Sequence, residues 1–103
     1  MSDNIIYAYT LEDAIRDGVL VKVFENRWPQ LTGGKPIVAT SHITQELSMA
    51  AIQEIWNDYC VWRSYVMPTL PEEEQLFLTR MNDQKVWVLE DGQAFTILFP
   101  EDY

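Results

Sequence analysis

Apolar and polar positions recur with two different periods along this chain, and the changes of period divide it into elements. Leu11, Ala14 and Ile15 are spaced i, i+3 and i+4, while Glu12, Asp13, Arg16 and Asp17 fall between them, so residues 11–17 predict a two-turn helix with one buried stripe. Thr10 supplies a hydroxyl suited to an N-cap, Asp13 completes a capping box with a shorter acid, and Gly18 stands where a helix usually exits through positive φ. Upstream, Asn4 to Tyr9 is apolar and aromatic. Val19 to Phe24, rich in β-branched residues and preceded by a glycine, reads as a strand. Residues 25–36 contain Pro29, Gly33, Gly34 and Pro36 and read as a loop, the most mobile part of the chain. Pro36 to Thr40 reads as a short strand, with Thr40 or Ser41 ready to cap the next helix.

From about Ser41 to Met67 the pattern is helical, with a break near Ser48. At roughly 100° per residue, Met49, Ile52, Ile55, Trp56, Tyr59, Trp62, Val66 and Met67 share one broad face, and Gln53, Glu54, Asn57 and Asp58 share the other. Pro68 and Pro71 end this helix, because proline removes a donor and disfavours helical geometry in the residue before it. Strands then occupy roughly 76–81, 85–90 and 94–99. Asn82-Asp83 is a weak turn signal between the first two, and Asp91-Gly92 a strong two-residue hairpin signal between the last two. A competing reading makes 71–80 a helix with Pro71 at its first position and an acidic first turn. The sum is one α+β domain spanning residues 1–103: a short N-terminal helix and strands, then one long amphipathic helix packed on a C-terminal antiparallel meander.

Composition narrows the functional classes. With 48% hydrophobic and 22% charged residues the chain is ordinary for a folded domain, and four Trp, five Tyr and four Phe provide much of its buriable surface. No apolar run reaches the roughly 18 residues of a membrane span, and Met1-Ser2-Asp3-Asn4 lacks the basic start of a signal peptide, so a soluble cytoplasmic protein with no membrane partner is expected. A lone cysteine, Cys60, allows no internal disulfide and no thiolate zinc cluster. Seven basic against sixteen acidic residues give a net charge of −9, which opposes direct binding to nucleic acid. The acid is unevenly spread: six acids face four bases in residues 1–51, but ten face three in 52–103.

Candidate chemistry is sparse. His42, the sole histidine, is the first residue an acid–base enzyme would use, yet no partner for it is visible in the sequence. Cys60 falls inside the long helix and reads as a small buried hydrophobe. Glu72, Glu73 and Glu74 carry hard oxygens, but consecutive carboxylates do not converge on one cation, and Glu90-Asp91-Gly92 lacks the spacing of a calcium loop. Gly33-Gly34-Lys35 lacks the first glycine and the hydroxyl residue of a phosphate loop. No metal, cofactor or catalytic residue is therefore assigned. Arg63 falls within the apolar helix face, where it either snorkels to water or pairs with a carboxylate of its own chain near the C-terminal end of the helix, or else reaches the acid of a partner. Val61 and Tyr65 instead lie on the polar face near Glu54 and Asp58, giving an acidic patch with an apolar centre, and Glu72, Glu73 and Glu74 extend the acid beyond the helix. Aromatic anchors within a charged rim are the usual chemistry of protein–protein recognition.

Ile6-Tyr7-Ala8-Tyr9-Thr10, followed by Ala14-Ile15-Arg16-Asp17-Gly18-Val19-Leu20-Val21, resembles the opening of a family of small uncharacterised proteins encoded by phages, plasmids and other bacterial mobile elements. Phe95-Thr96-Ile97-Leu98-Phe99-Pro100-Glu101-Asp102 is similar to that family's last strand and acidic tail, and Pro36 to Thr40 also fits. The resemblance covers about a third of the chain and carries no known activity, so it transfers no site residue. It implies a non-enzymatic accessory protein that binds a host or element-encoded protein. With the acidity, the sharpest version is an inhibitor of a nucleic-acid-handling host defence complex, of the anti-CRISPR or anti-restriction kind, whose carboxylates imitate phosphates. The alternatives are a small enzyme or ligand-binding domain using His42, and a structural homodimer joined through the meander edge or the Tyr65 patch.

Overall fold

The computed structural model of the chain describes residues 10–103; the aromatic opening from Asn4 to Tyr9 lies outside the described residues. Helix α1 (Leu11–Arg16) begins as its sequence predicts, with Thr10 Oγ1 accepting from the Asp13 N–H at 3.1 Å, and Gly18 comes after it at φ +78°. Strand β1 (Leu20–Lys22) leads through a 3₁₀ turn (Glu25–Arg27) into helix α2 (Trp28–Thr32), and β2 (Ile37–Thr40) runs directly into α3 (Ser41–Glu46). Leu47 is extended, Ser48 caps a new helix by accepting from the Ala51 N–H at 3.2 Å, and α4 (Met49–Tyr65) is the long helix of the fold. Two 3₁₀ turns (Met67–Thr69 and Glu72–Glu74) precede β3 (Phe77–Met81), β4 (Gln84–Glu90) and β5 (Phe95–Leu98).

These strands make one five-stranded sheet in the order β1-β2-β5-β4-β3. Three neighbours pair antiparallel, whereas β2 and β5 pair parallel with Ile37 opposite Phe95 and Ala39 opposite Ile97. Every residue of these two inner strands is buried, as expected where both faces of a sheet are covered. On one face α4 lays Ile52, Ile55, Trp56 and Tyr59 over Ala39, Val88, Phe95 and Ile97. On the other, α1 closes a smaller cluster of Ala14, Leu20, Val38 and Ala94. No helix among the described residues is long and apolar enough to cross a membrane.

The architecture is α+β, with the long helix over the meander as its periodicity predicts. Four local readings change. Residues 25–36 are not a loop throughout: Pro29 sits in the first turn of α2, where its missing N–H costs nothing, and Gly33 ends that helix at φ +74°. The Trp28 indole donates to the Val23 carbonyl at 2.8 Å and Thr32 Oγ1 donates to the Lys35 carbonyl at 2.6 Å, which tie the helix at both ends. Asn82 and Asp83, the weaker turn signal, form the tight hairpin with φ of +55° and +65°, joining Met81 to Gln84. After β4 the turn lies one residue later than Asp91-Gly92: Asp91 Oδ1 accepts from the N–H groups of Gln93 and Ala94 at 2.7 and 3.0 Å, so the aspartate is the anchor and not the apex. The ends of the apolar helix face also differ, since Met49 is 54% exposed and Val66 41% exposed, beyond the reach of the sheet.

Ile97 is wholly buried at the centre of the sheet. Ile97→Ala should lower the unfolding free energy by about 2–5 kcal/mol, whereas Val21→Ala on the β1 edge should change it by less than about 0.5 kcal/mol. Urea denaturation of the two variants checks the contrast.

Candidate functional site

The residues that periodicity assigned to a protein-binding patch are all at the surface. On α4, Glu54, Asp58, Val61 and Tyr65 are spaced i, i+4, i+7 and i+11, and all are exposed because the opposite stripe carries the core. Val61 is 59% and Tyr65 77% exposed, a large apolar surface for a helix that already buries four side chains. Glu72, Glu73 and Glu74 form an exposed 3₁₀ turn just past this helix, held there by Gln75, whose Nε2 donates to the Met67 and Leu70 carbonyls at 3.2 and 3.0 Å. Among the described residues none of these five acids forms an ion pair.

Two of the chain's cations share a different acid. Arg63 does find an acid of its own chain, and it is Glu90 on β4: Arg63 Nε donates to Oε1 at 2.9 Å and Nη2 to Oε2 at 3.2 Å. Lys35 reaches the same carboxylate at 3.1 Å, so one acid holds two cations from α4 and from the segment before β2. Both cations also stand near the Phe95 ring, Lys35 Nζ at 4.8 Å and Arg63 Cζ at 5.8 Å from its centre. Burial raises the Glu90 carboxyl, but hydrogen bonds from Arg63 and Lys35 and their charges outweigh it and hold its pKa below the usual value. Beside this cluster open two clefts of about 250 Å³ each, one bounded by Arg63 and the other by Glu90, with Tyr59 lining both.

His42 also has a partner that its sequence position concealed. Its Nδ1 lies 3.0 Å from Asp102 Oδ1, and its ring meets Phe99 edge-on at 4.6 Å. Asp102 Oδ2 accepts from Thr40 Oγ1 at 2.8 Å and from the Phe99 N–H at 3.3 Å, while Thr40 Oγ1 itself accepts from the Ile43 N–H and caps α3. The carboxylate thus fastens the end of β5 to the start of α3. No hydrogen bond joins His42 to Cys60, which is half-buried on α4 and whose thiol burial pushes upward in pKa, away from the reactive thiolate. Among the described residues no three His, Cys, Asp or Glu side chains gather as a metal site requires.

Comparison with family models, curated proteins and solved structures finds no match. The functional reading therefore rests on the chain's own chemistry.

Glu90 supplies a pH test. A carboxyl with a lower pKa in the folded state stabilises the fold above its unfolded pKa, and that contribution is lost as pH falls through the folded value. Glu90→Gln should cost about 1 kcal/mol at neutral pH and nothing once the wild-type carboxyl is protonated. Urea midpoints of the two proteins should converge in acid; a constant gap at every pH would assign the loss to packing.

Proposed function

We propose that the chain is a non-enzymatic accessory protein of a bacterial mobile element, working in the cytoplasm by binding another protein through the exposed ridge of α4. The observation that carries this reading is the combination on one surface of two exposed apolar anchors, Val61 and Tyr65, with carboxylates at Glu54 and Asp58 that have no cation among the described residues. Folding gains nothing from either feature, whereas a basic partner would bury the first and neutralise the second. Glu72, Glu73 and Glu74 add three charges at the end of the same helix. Charge complementarity favours a partner that presents a cationic groove, which is the working surface of a nucleic-acid-handling enzyme. The mobile-element origin is supported by the resemblance of the opening and closing segments.

The test is capture of the tagged chain from lysate of its source bacterium after nuclease treatment, with Tyr65→Ser and Val61→Ser processed in parallel. A stoichiometric partner should be retained by the wild type, reduced about tenfold or more by Tyr65→Ser, and released by added salt and by duplex DNA. Nothing above background, or equal retention by both variants, refutes the ridge as the docking surface.

A second reading has its own observation. Strand β3 is an edge of the sheet, and Leu78 on it is 57% exposed, the arrangement through which two copies could pair strand to strand. Sedimentation over a wide concentration range should then show a monomer–dimer equilibrium; a constant monomer mass excludes it.

A further inference from the structure

Two cations of the chain serve no acid of their own. Arg16, Lys22, Lys35 and Arg63 pair with carboxylates, and Arg27 donates to Gln53 Oε1 at 2.9 Å. Arg80 and Lys85 have neither an ion pair nor a side-chain hydrogen bond among the described residues. Both are exposed, and they stand directly opposite each other on β3 and β4. Like charges so placed repel and weaken the hairpin. A cation on the edge strand β3 guards it against stray pairing, but β4 is an inner strand, where Lys85 adds repulsion without that protection.

Alternation along the two strands turns Phe77, Val86 and Val88 to the core beneath α4 and sends Leu78, Arg80, Lys85 and Trp87 to the opposite face. On that face α1 closes its cluster over Leu20 and Val38, at the far strands, and Leu78 remains exposed. Leu78 lies opposite Trp87, which is half-buried against the Tyr103 ring at 5.8 Å. A cation pair and an apolar pair thus adjoin, two residues or about 7 Å apart along the strands. The α4 ridge carries the complement: the carboxylates Glu54 and Asp58, then Val61 and Tyr65 seven residues further, about 10 Å along a helix. Long Arg and Lys side chains span that difference. We propose that this hairpin face docks the α4 ridge of a second copy of the chain, with Arg80 and Lys85 against Glu54 and Asp58 and Leu78 against Val61 and Tyr65. The net charge of −9 opposes the approach of two copies, but whole-molecule repulsion is screened beyond about 8 Å at physiological ionic strength, which leaves the local charges to decide. Ridge and hairpin patch lie on opposite sides of one molecule, so no chain can join its own two surfaces. Each docked copy offers a further ridge and a further patch, and the contact extends head to tail. It gives the ridge an occupant that would compete with a basic partner, and it does not rest on there being one.

The test is sedimentation equilibrium of the purified full chain from micromolar to millimolar concentration. Two variants are run beside the wild type, one with Arg80→Gln and Lys85→Gln, the other with Glu54→Gln and Asp58→Gln. The average mass of the wild type should climb past that of a dimer, and each variant alone should associate at least about tenfold more weakly. An equimolar mixture of the variants should form a dimer and stop there, because one intact patch meets one intact ridge and neither end can extend. Removing the opposed cations should leave the urea midpoint unchanged or higher; a lower one would assign the pair to the fold and overturn the proposal. Three other results overturn it: a wild type that stays monomeric throughout, a closed dimer that ignores the ridge substitutions as edge pairing through β3 would, or a mixture no more associated than its components. Only purified chain is used, so failure here leaves capture of a foreign partner by the ridge untouched, and failure of that capture leaves this contact untouched.

Discussion

The parallel pairing of β2 with β5 is the contact on which the rest of the molecule depends. It joins segments more than fifty residues apart, with the Phe95 N–H donating to the Pro36 carbonyl at 2.9 Å where the seam begins. Because the seam sets Ile37 beside Phe95, it brings Lys35 to Glu90 at one end and Thr40 to Asp102 at the other. It also places Phe95 under α4, where that ring becomes both a core residue and a wall of the cleft. A slip of one residue would turn every side chain of β5 to the wrong face and dissolve both polar fasteners together.

Local chemistry was readable where a residue type has one good conformational use. Thr10 and Gly18 bracket α1, Ser48 restarts the helix, and the two-period pattern separates α4 from the meander. Readings failed where a local signal was outvoted. Residues 25–36 look like a loop by composition, but α2 is short, and its stability comes from the Trp28 indole and the Thr32 hydroxyl binding carbonyls outside the helix. Asp91-Gly92 looks like the tip of a hairpin, yet the Asp91 side chain prefers to hold the amides of Gln93 and Ala94. The surface ridge was legible because exposure on a helix is set by the spacing of its core residues. Glu90, Asp102 and the cleft were not, because each is made by elements that meet only through the β2–β5 seam.

The distribution of charge has the same origin. Seven cations serve sixteen acids, and two of the seven converge on Glu90. Others hold α1 and the start of the 3₁₀ turn, where Arg16 pairs with Asp13 and Asp17 and Lys22 with Glu25. What remains on α4 is a helix whose inner stripe is rich in aromatic contacts, Trp56 against Phe95 and Tyr59 against Phe77, and whose outer stripe is acidic and unneutralised. One helix therefore faces two chemically opposite environments, and its flank at Arg63 and Ser64 is a third, rich in donors and poor in acid.

The strand order also sets a timetable for folding. β2 leaves the ribosome long before β5, and until residues 95–98 emerge, its inner edge has no partner. A nascent chain that has reached β4 can form the β3–β4 hairpin and the helices, but it exposes an apolar strand on a half-built sheet. Closure awaits β5, the last strand of the sheet in chain order, because it alone joins the β1–β2 pair to the β3–β4 hairpin.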